Sequence, residues 1–195
     1  MKAGLMLAVN PNSKREENDF YATDGYAITK MADKLKTLGI SQNVWECACG
    51  NGCLSEPLKA LGYDVLSTDL IDRGYGQTED FLKSDRAWNG DIITNPPFKD
   101  AVRFVEKSME LLQSGNKAMF LLKIQFLETP KRADLFKRCG LKNVIVNSER
   151  VCCAMNGEFD SYYKKRNGRY VGGTQVYAWF VFEKDYTGNA TVDFV

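Results

Sequence analysis

Short apolar runs alternate along this chain with apolar residues at helical spacing, and this alternation limits the fold more than any other feature. Runs typical of buried strands occupy residues 44–47, 63–69, 91–94, 117–123 and 143–146, and the alternating run at 175–182 is typical of a late strand. Helical spacing is found at 24–38, 54–62, 102–115 and 133–139. Strands that alternate with helices form a parallel sheet covered by helices on both faces. The sequence therefore predicts an α/β fold.

Composition is that of an ordinary globular protein. The chain has 195 residues, of which 44% are hydrophobic and 26% charged, and this length suits one domain with a substantial core. The opening MKAGLMLAVNPNSK is too briefly apolar for a signal peptide, and no run approaches the roughly 18 apolar residues of a membrane span. We therefore expect a single domain over 1–195, located in the cytoplasm and without a membrane partner.

The chain contains no histidine, and this absence excludes several kinds of site. Catalytic triads and a histidine general base are excluded. Cys47, Cys49 and Cys53 lie close together in sequence, but their spacing lacks the paired CxxC knuckles of structural zinc sites. We therefore expect no metal, and we expect reduced thiols. The formal net charge of +1 gives no overall attraction to nucleic acid.

A glycine-containing turn follows the first strand. The turn ACGNG (48–52) lets the backbone approach a ligand, and ligands of open α/β sheets bind at the carboxyl ends of the strands. Asp69 ends the next strand about twenty residues further on, where an acidic side chain can accept both hydroxyls of a ribose. Asp80 and Phe81 precede the third strand and could hold an adenine ring. This order predicts a nucleotide pocket rather than three unrelated loop residues.

The stretch TNPPF (94–98) ends the third strand in an unusual way. Each residue before a proline is disfavoured in the helical region, so Asn95 and Pro96 are both held extended. Asn95 adds a side-chain carbonyl, Pro96 adds a main-chain carbonyl, and Phe98 adds an aromatic face. The two carbonyls can accept the two hydrogens of a planar aromatic amine while Phe98 stacks on its ring. We therefore predict that this stretch is catalytic.

These motifs together resemble the S-adenosylmethionine-dependent methyltransferases that modify the N6 amine of adenine in DNA, most closely the small enzymes of bacteriophages and prophages. The matching segments are NDFYATDGYAITKM (18–31), WECACGNG (45–52), STDL (67–70), EDF (79–81) and TNPPF (94–98). The resemblance implies the Rossmann-like class I methyltransferase fold, in which a mainly parallel sheet has helices on both faces and a late antiparallel strand. It also implies S-adenosylmethionine as cofactor and double-stranded DNA with a flipped adenine as substrate. A phage-encoded enzyme of this kind would act in the cytoplasm of the bacterial host.

The resemblance also implies roles for individual residues. An N-terminal segment, 18–38, would close over the cofactor. The residues implied to bind the cofactor are Tyr21, Thr23, Glu46, Ala48, Gly50, Gly52, Asp69, Asp80 and Phe81. The residues implied to be catalytic are Asn95, Pro96, Pro97 and Phe98. Asp24 and Cys47 stand where this family often has proline.

The order of motifs leaves little chain for a separate target-recognition domain, so we expect another segment to contact the substrate. Residues 156–174 are rich in glycine, tyrosine and charge and are predicted to form a long loop. In that loop, aromatic residues interleaved with basic ones are suited to contact bases and phosphates. The candidate substrate-binding residues there are Tyr163, Lys164, Lys165, Arg166 and Arg169. The residues leave open an RNA or protein-glutamine substrate and a non-catalytic nucleic-acid-binding module.

Overall fold

The computed structural model describes residues 20–195. The opening segment considered above as a signal peptide, and the first two residues of the proposed cofactor-closing segment, lie outside the described residues.

Strands and helices alternate through most of the described chain. The strands are β1 (Tyr21–Thr23), β2 (Asn43–Glu46), β3 (Asp64–Asp69), β4 (Gln77–Thr78), β5 (Asp91–Thr94), β6 (Lys117–Lys123), β7 (Leu141–Val146), β8 (Cys153–Met155), β9 (Lys164–Arg166), β10 (Arg169–Val171), β11 (Tyr177–Glu183) and β12 (Thr191–Phe194). The α-helices are α1 (Tyr26–Thr29), α2 (Ala32–Thr37), α3 (Ser55–Ala60), α4 (Ala101–Leu111), α5 (Pro130–Arg138) and α6 (Phe159–Tyr162). Short 3₁₀ turns occupy Phe81–Lys83, Phe98–Asp100 and Ile124–Leu127.

Eight strands form the central sheet in the order β12-β7-β11-β6-β5-β2-β3-β4. Neighbours pair in parallel except β11, which runs antiparallel between β6 and β7. The chain order reverses at β2, which lies between β3 and β5, and such a reversal opens a crevice at the carboxyl ends of the strands. The turn after β2 and the TNPPF stretch after β5 both lie at this crevice.

Both faces of the sheet are buried, as expected where helices cover a parallel sheet. Strand β6 shows this directly, because Phe120 packs in the core on one face while Met119 and Leu121 pack in the core on the other. All three side chains are fully buried. Two hydrophobic cores therefore hold the strands in register and fix where their carboxyl ends lie.

The segment 156–174 is not the long loop that the sequence predicted. It contains α6 and the β9–β10 hairpin, whose turn places Asn167 and Gly168 at positive φ. Two-residue hairpin turns favour this Asn-Gly pair because their backbone twist matches that of the strands. The helix expected at 24–38 is also divided, into α1 and α2.

A second small ribbon lies apart from the central sheet. Strand β1 pairs antiparallel with β8, with Thr23 opposite Cys153. The sequence did not predict either of these three-residue strands, and it did not predict β12 at the edge of the central sheet.

Within residues 20–195, no helix is both long enough and apolar enough to cross a membrane.

Candidate active site

One cleft at the carboxyl edge of the sheet collects most of the predicted site residues. Its volume is about 960 Å³, open mouth included, which lies in the range of small-molecule sites. All predicted catalytic and cofactor-binding residues line it except the two turn glycines, namely Tyr21, Thr23, Glu46, Ala48, Asp69, Asp80, Phe81, Asn95, Pro96, Pro97 and Phe98.

Gly50 and Gly52 shape the turn beside the cleft. Both adopt positive φ, and a Cβ atom at Gly50 would collide with the Phe20 ring while one at Gly52 would collide with the Tyr75 ring. The main chain therefore passes closer to its neighbours than any residue with a side chain allows. The Gly50 amide donates to the Asp69 carboxylate over 2.8 Å, and the Ile71 amide donates to its other oxygen over 2.9 Å. These two bonds hold the Asp69 carboxylate at the end of β3, facing the cleft.

Glu46 is a buried acid at the end of β2. It is 2% exposed, and burial raises its pKa to about 8, with a smaller upward contribution from Asp69. The Ser55 hydroxyl donates to its carboxylate and partly opposes that rise. Because the single hydroxyl proton of Ser55 is used toward Glu46, Ser67 must donate across the 2.7 Å contact between the two serines. The cleft thus holds an acid that lacks a cationic partner close enough to offset its burial.

Asp80 and Phe81 line the cleft at the start of the 3₁₀ turn Phe81–Lys83. One Asp80 oxygen accepts from the Leu82 amide over 3.1 Å, and the other lies 2.9 Å from the Lys83 ammonium. Phe81 is only 2% exposed and packs against Trp45 and Phe104 at centroid distances of 5.2 and 5.0 Å. Phe81 therefore contributes mainly to the wall of the cleft.

Asn95 has a hydrogen-bonding pattern that leaves one group unused. Its side-chain NH₂ donates to the Tyr21 carbonyl over 3.0 Å and to the Thr23 hydroxyl over 2.9 Å. Its side-chain oxygen is buried and has no hydrogen-bond partner within residues 20–195. Over the same residues the Pro96 carbonyl accepts no hydrogen bond, whereas the Pro97 carbonyl accepts one from the Asp100 amide at 2.9 Å. Two acceptors at the end of β5 are therefore without a donor among residues 20–195.

Phe98 belongs to an aromatic cluster beside these acceptors. Its ring lies 6.0 Å from the Tyr21 ring and 6.0 Å from the Tyr177 ring, inclined by 28° in each case. The Lys123 ammonium lies 5.1 Å from its centroid. A planar apolar ligand that reaches the TNPPF stretch would thus meet aromatic surface.

The cysteines near the cleft are protonated thiols. Burial raises the pKa of Cys49 to about 12 and that of Cys47 well above its usual value. Metal ligation and nucleophilic attack both require the thiolate. All six cysteines of the chain are free, and residues 20–195 contain no group of three His, Cys, Asp or Glu side chains that could hold a metal ion.

The predicted substrate-binding residues differ in exposure and in their hydrogen-bond and ion-pair partners. Lys164, Lys165 and Arg166 lie exposed on β9. Arg169 on β10 forms an ion pair with Glu149. Tyr163 turns inward and donates to the Cys153 carbonyl over 2.8 Å, and burial raises its pKa to about 12. Tyr163 therefore anchors the segment, and the exposed cations of the hairpin lie on β9.

Several residues at or beside the cleft were not identified from the sequence, and four of them are aromatic or cationic neighbours of the predicted site residues. Phe20 and Arg73 line the cleft, with the Arg73 guanidinium 4.1 Å from the Phe20 ring centroid, while Lys123 and Tyr177 surround Phe98. Lys123 could have been found, because it ends strand β6 next to the strand that carries TNPPF. The other three follow no local pattern.

Comparison with known proteins identifies the fold. No protein-family model matches the sequence, and comparison with curated proteins finds no match. Among solved structures, a putative class I S-adenosylmethionine-dependent methyltransferase from Listeria monocytogenes is similar with a TM-score of 0.61 at 14% identity, covering 92% of this chain and 67% of that one. An S-adenosylmethionine-dependent O-methyltransferase from Thermotoga maritima is similar with a TM-score of 0.51 at 14% identity, covering 83% and 67%.

The type IIG restriction endonuclease BpuSI is also similar, with a TM-score of 0.54 at 14% identity. The match covers 84% of this chain but only 25% of the endonuclease. The sheet order, the single antiparallel strand and these similarities agree with the prediction from the sequence. The chain has the Rossmann-like fold of class I methyltransferases.

Proposed function

We propose that the chain is an S-adenosylmethionine-dependent methyltransferase that methylates the exocyclic N6 amine of adenine in DNA. The observation that carries this proposal is the pair of unused acceptors at the end of β5. Within the part of the chain that the structure describes, the Asn95 side-chain oxygen is buried without a donor, and such a group is costly unless a ligand satisfies it. An amine with two N–H bonds can satisfy both Asn95 and Pro96.

The cleft fits the cofactor that this fold implies. Glu46 is an acid whose burial is compensated when a cation binds beside it, and the ammonium of the cofactor's methionine moiety is such a cation. Asp69 would bind the ribose hydroxyls. Asp80 would bind the adenine amine, either beside its ion pair with Lys83 or after that ion pair breaks. The absence of a side chain at Gly50 lets the Phe20 ring pack against the turn, and the methionine moiety would lie along this turn.

The chemistry assigned to the chain is mainly positioning. When bound, S-adenosylmethionine supplies an electrophilic methyl group attached to a sulfonium. Asn95 and Pro96 would accept the two hydrogens of the target amine, so that its nitrogen lone pair points at the methyl carbon. Transfer would join the methyl carbon to the nitrogen as that carbon leaves the sulfonium, and the cationic nitrogen would then release a proton to water. This sequence needs no histidine base, which agrees with the composition of the chain.

DNA is proposed as the substrate because the β9–β10 hairpin carries exposed cations. Lys164, Lys165 and Arg166 are consecutive exposed residues on β9. The hairpin follows β8 in the chain, and β8 pairs with β1, whose residues line the cleft. Exposed lysine and arginine side chains are suited to phosphate contacts that place a flipped base in the pocket.

The test is transfer of a labelled methyl group from S-adenosylmethionine to unmethylated double-stranded DNA, with RNA and protein extract in parallel. Asn95→Ala is the active-site variant, and Asn189→Ala, on an exposed loop, is the matched control. We expect N6-methyladenine with the wild type and the control and at least 100-fold less with Asn95→Ala. Label in RNA or protein alone would replace the substrate, and no transfer to any of the three would refute the proposal.

A further inference from the structure

The side-chain amide of Asn95 is held by a strand that does not belong to the methyltransferase sheet. Both of its N–H bonds are donated to β1, one to the Tyr21 carbonyl and one to the Thr23 hydroxyl. Strand β1 pairs with β8 in a separate ribbon, and 72 residues separate Thr23 from Asn95 along the chain. The β1–β8 ribbon thus determines which end of the amide faces the cleft.

The direction of the amide follows from hydrogen-bond chemistry. A main-chain carbonyl such as that of Tyr21 can only accept, so the Asn95 atom that faces it must be the nitrogen. The oxygen must then lie on the opposite side, where it is buried and without a partner in the described chain. Rotation by 180° would place two acceptors against each other and turn N–H donors toward the cleft. A donor in that position would repel the hydrogens of an incoming amine.

Thr23 is itself tightly held. It is 2% exposed, and its hydroxyl lies 3.9 Å from the Cys153 sulfur on the paired strand. Since the Thr23 oxygen accepts from Asn95, its single hydrogen is free to be donated toward that sulfur. Burial raises the pKa of Cys153 to about 12, so the sulfur is a thiol over the neutral range. Whichever atom donates across the contact with the sulfur, the Thr23 oxygen keeps a lone pair that accepts from Asn95.

We propose that Thr23 is a positioning residue for catalysis, acting through Asn95, in addition to any contact that it makes with the cofactor. Its hydroxyl locks the Asn95 amide with the oxygen toward the target amine. This inference rests on the proposed function, because the amide must accept from a substrate for its orientation to matter. It assigns to the N-terminal segment a part in preparing the catalytic group, not only in closing over the cofactor.

The test compares Thr23→Val, which keeps the shape but removes the acceptor, with Thr23→Ser, which restores it. Thr29→Val is the control for the same replacement at an exposed site. Single-turnover methyl transfer is measured on DNA, and S-adenosylmethionine binding is measured by calorimetry. We expect Thr23→Val to reduce the single-turnover rate about 10- to 100-fold, as for loss of one hydrogen bond to a buried polar group. The rate is measured at saturating S-adenosylmethionine, so that a change in cofactor affinity does not contribute to it, and Thr23→Ser should recover most of the rate.

A second readout does not depend on activity. Hydrogen exchange of the Asn95 side-chain amide is followed by NMR, with the resonances assigned by their loss in Asn95→Ala. We expect slow exchange in the wild type and in Thr23→Ser, and at least tenfold faster exchange in Thr23→Val. Equal exchange in Thr23→Val and the wild type would overturn the inference even if no methyl transfer is found. So would a Thr23→Val variant that binds the cofactor weakly but transfers at the wild-type rate, because Thr23 would then be a cofactor ligand only.

Discussion

Replacing Glu46 with glutamine tests whether the candidate cofactor site holds an uncompensated buried acid. The pKa of Glu46 is raised from 4.5 to about 8 by burial. The folded protein therefore binds a proton that the unfolded chain has already lost between these two pH values. Because Glu46 ionises in the unfolded chain but stays protonated in the folded protein, the folded state becomes progressively less stable as pH rises from 4.5 to about 8. The full cost is present above pH 8.

The size of the effect follows from the two pKa values. They differ by about 3.5, and each pKa unit corresponds to about 1.4 kcal/mol, so the cost reaches about 5 kcal/mol above pH 8 and about 3 kcal/mol at pH 7. Glutamine cannot ionise, but it keeps the shape and an acceptor for the Ser55 hydroxyl. The stability of Glu46→Gln relative to the wild type should therefore increase from pH 5 to about pH 8 and then level off.

The assay is urea unfolding without cofactor, at half-unit steps from pH 5 to pH 8.5, for the wild type and Glu46→Gln. Glu56→Gln on α3 is the control, because Glu56 is exposed and its pKa is lowered by its hydrogen bond with Tyr75. A difference between Glu46→Gln and the wild type that stays constant with pH would refute the reasoning. It would mean that Glu46 already has a compensating partner in the free protein.

The same substitution should act in the opposite direction on cofactor binding. A cation beside Glu46 favours its ionised form, so binding should release a proton when it takes place below pH 8. Affinity for S-adenosylmethionine should rise between pH 6 and pH 8 in the wild type, with proton release measured by calorimetry in buffers of different ionisation enthalpy. Glu46→Gln should bind at least tenfold more weakly at pH 8 and release no proton through this group.

Further substitutions test the rest of the site. Gly50→Ala should weaken cofactor binding at least tenfold by calorimetry, whereas Gly39→Ala should not, since both residues have positive φ but only Gly50 has an aromatic ring where the new Cβ would lie. Phe98→Leu should raise KM for DNA about tenfold and leave cofactor affinity unchanged, because it removes a ring face for stacking, and Phe98→Tyr should preserve KM. Replacing both Lys164 and Arg166 with glutamine should reduce the slope of log affinity for DNA against log salt concentration by about 2, measured by fluorescence anisotropy. An unchanged slope would mean that β9 does not contact phosphates.

The parts of the fold that were predicted correctly have local causes. Strand β5 ends where two consecutive prolines remove main-chain donors, and β6 is an apolar run of the length that a buried strand requires. The positions of Asn95 and Asp69 at strand ends follow from the same boundaries. In a parallel sheet these ends share one edge, so the order of motifs was enough to place both residues at one cleft.

The parts that were missed depend on pairing between distant segments. Strands β1 and β8 have three residues each and lie more than a hundred positions apart, and neither shows an extended alternation of polar and apolar residues. Segment 156–174 contains many turn-forming residues, which favoured a loop interpretation, although Asn167-Gly168 is a strong hairpin signal. Aromatic neighbours such as Tyr177 are brought to Phe98 only by the order of strands in the sheet.

This difference matters for how the candidate site works. Local sequence explains which groups are present at the end of β5, because a proline-rich turn supplies carbonyls and an aromatic ring. It does not explain which way the Asn95 amide points, since that depends on acceptors from β1. A motif alone therefore predicts the chemistry that is available, and the β1–β8 ribbon decides whether the amide accepts from a substrate or donates to it. A chain that kept TNPPF but lost the Thr23 acceptor would retain the motif with only the Tyr21 carbonyl to hold its amide in the accepting orientation.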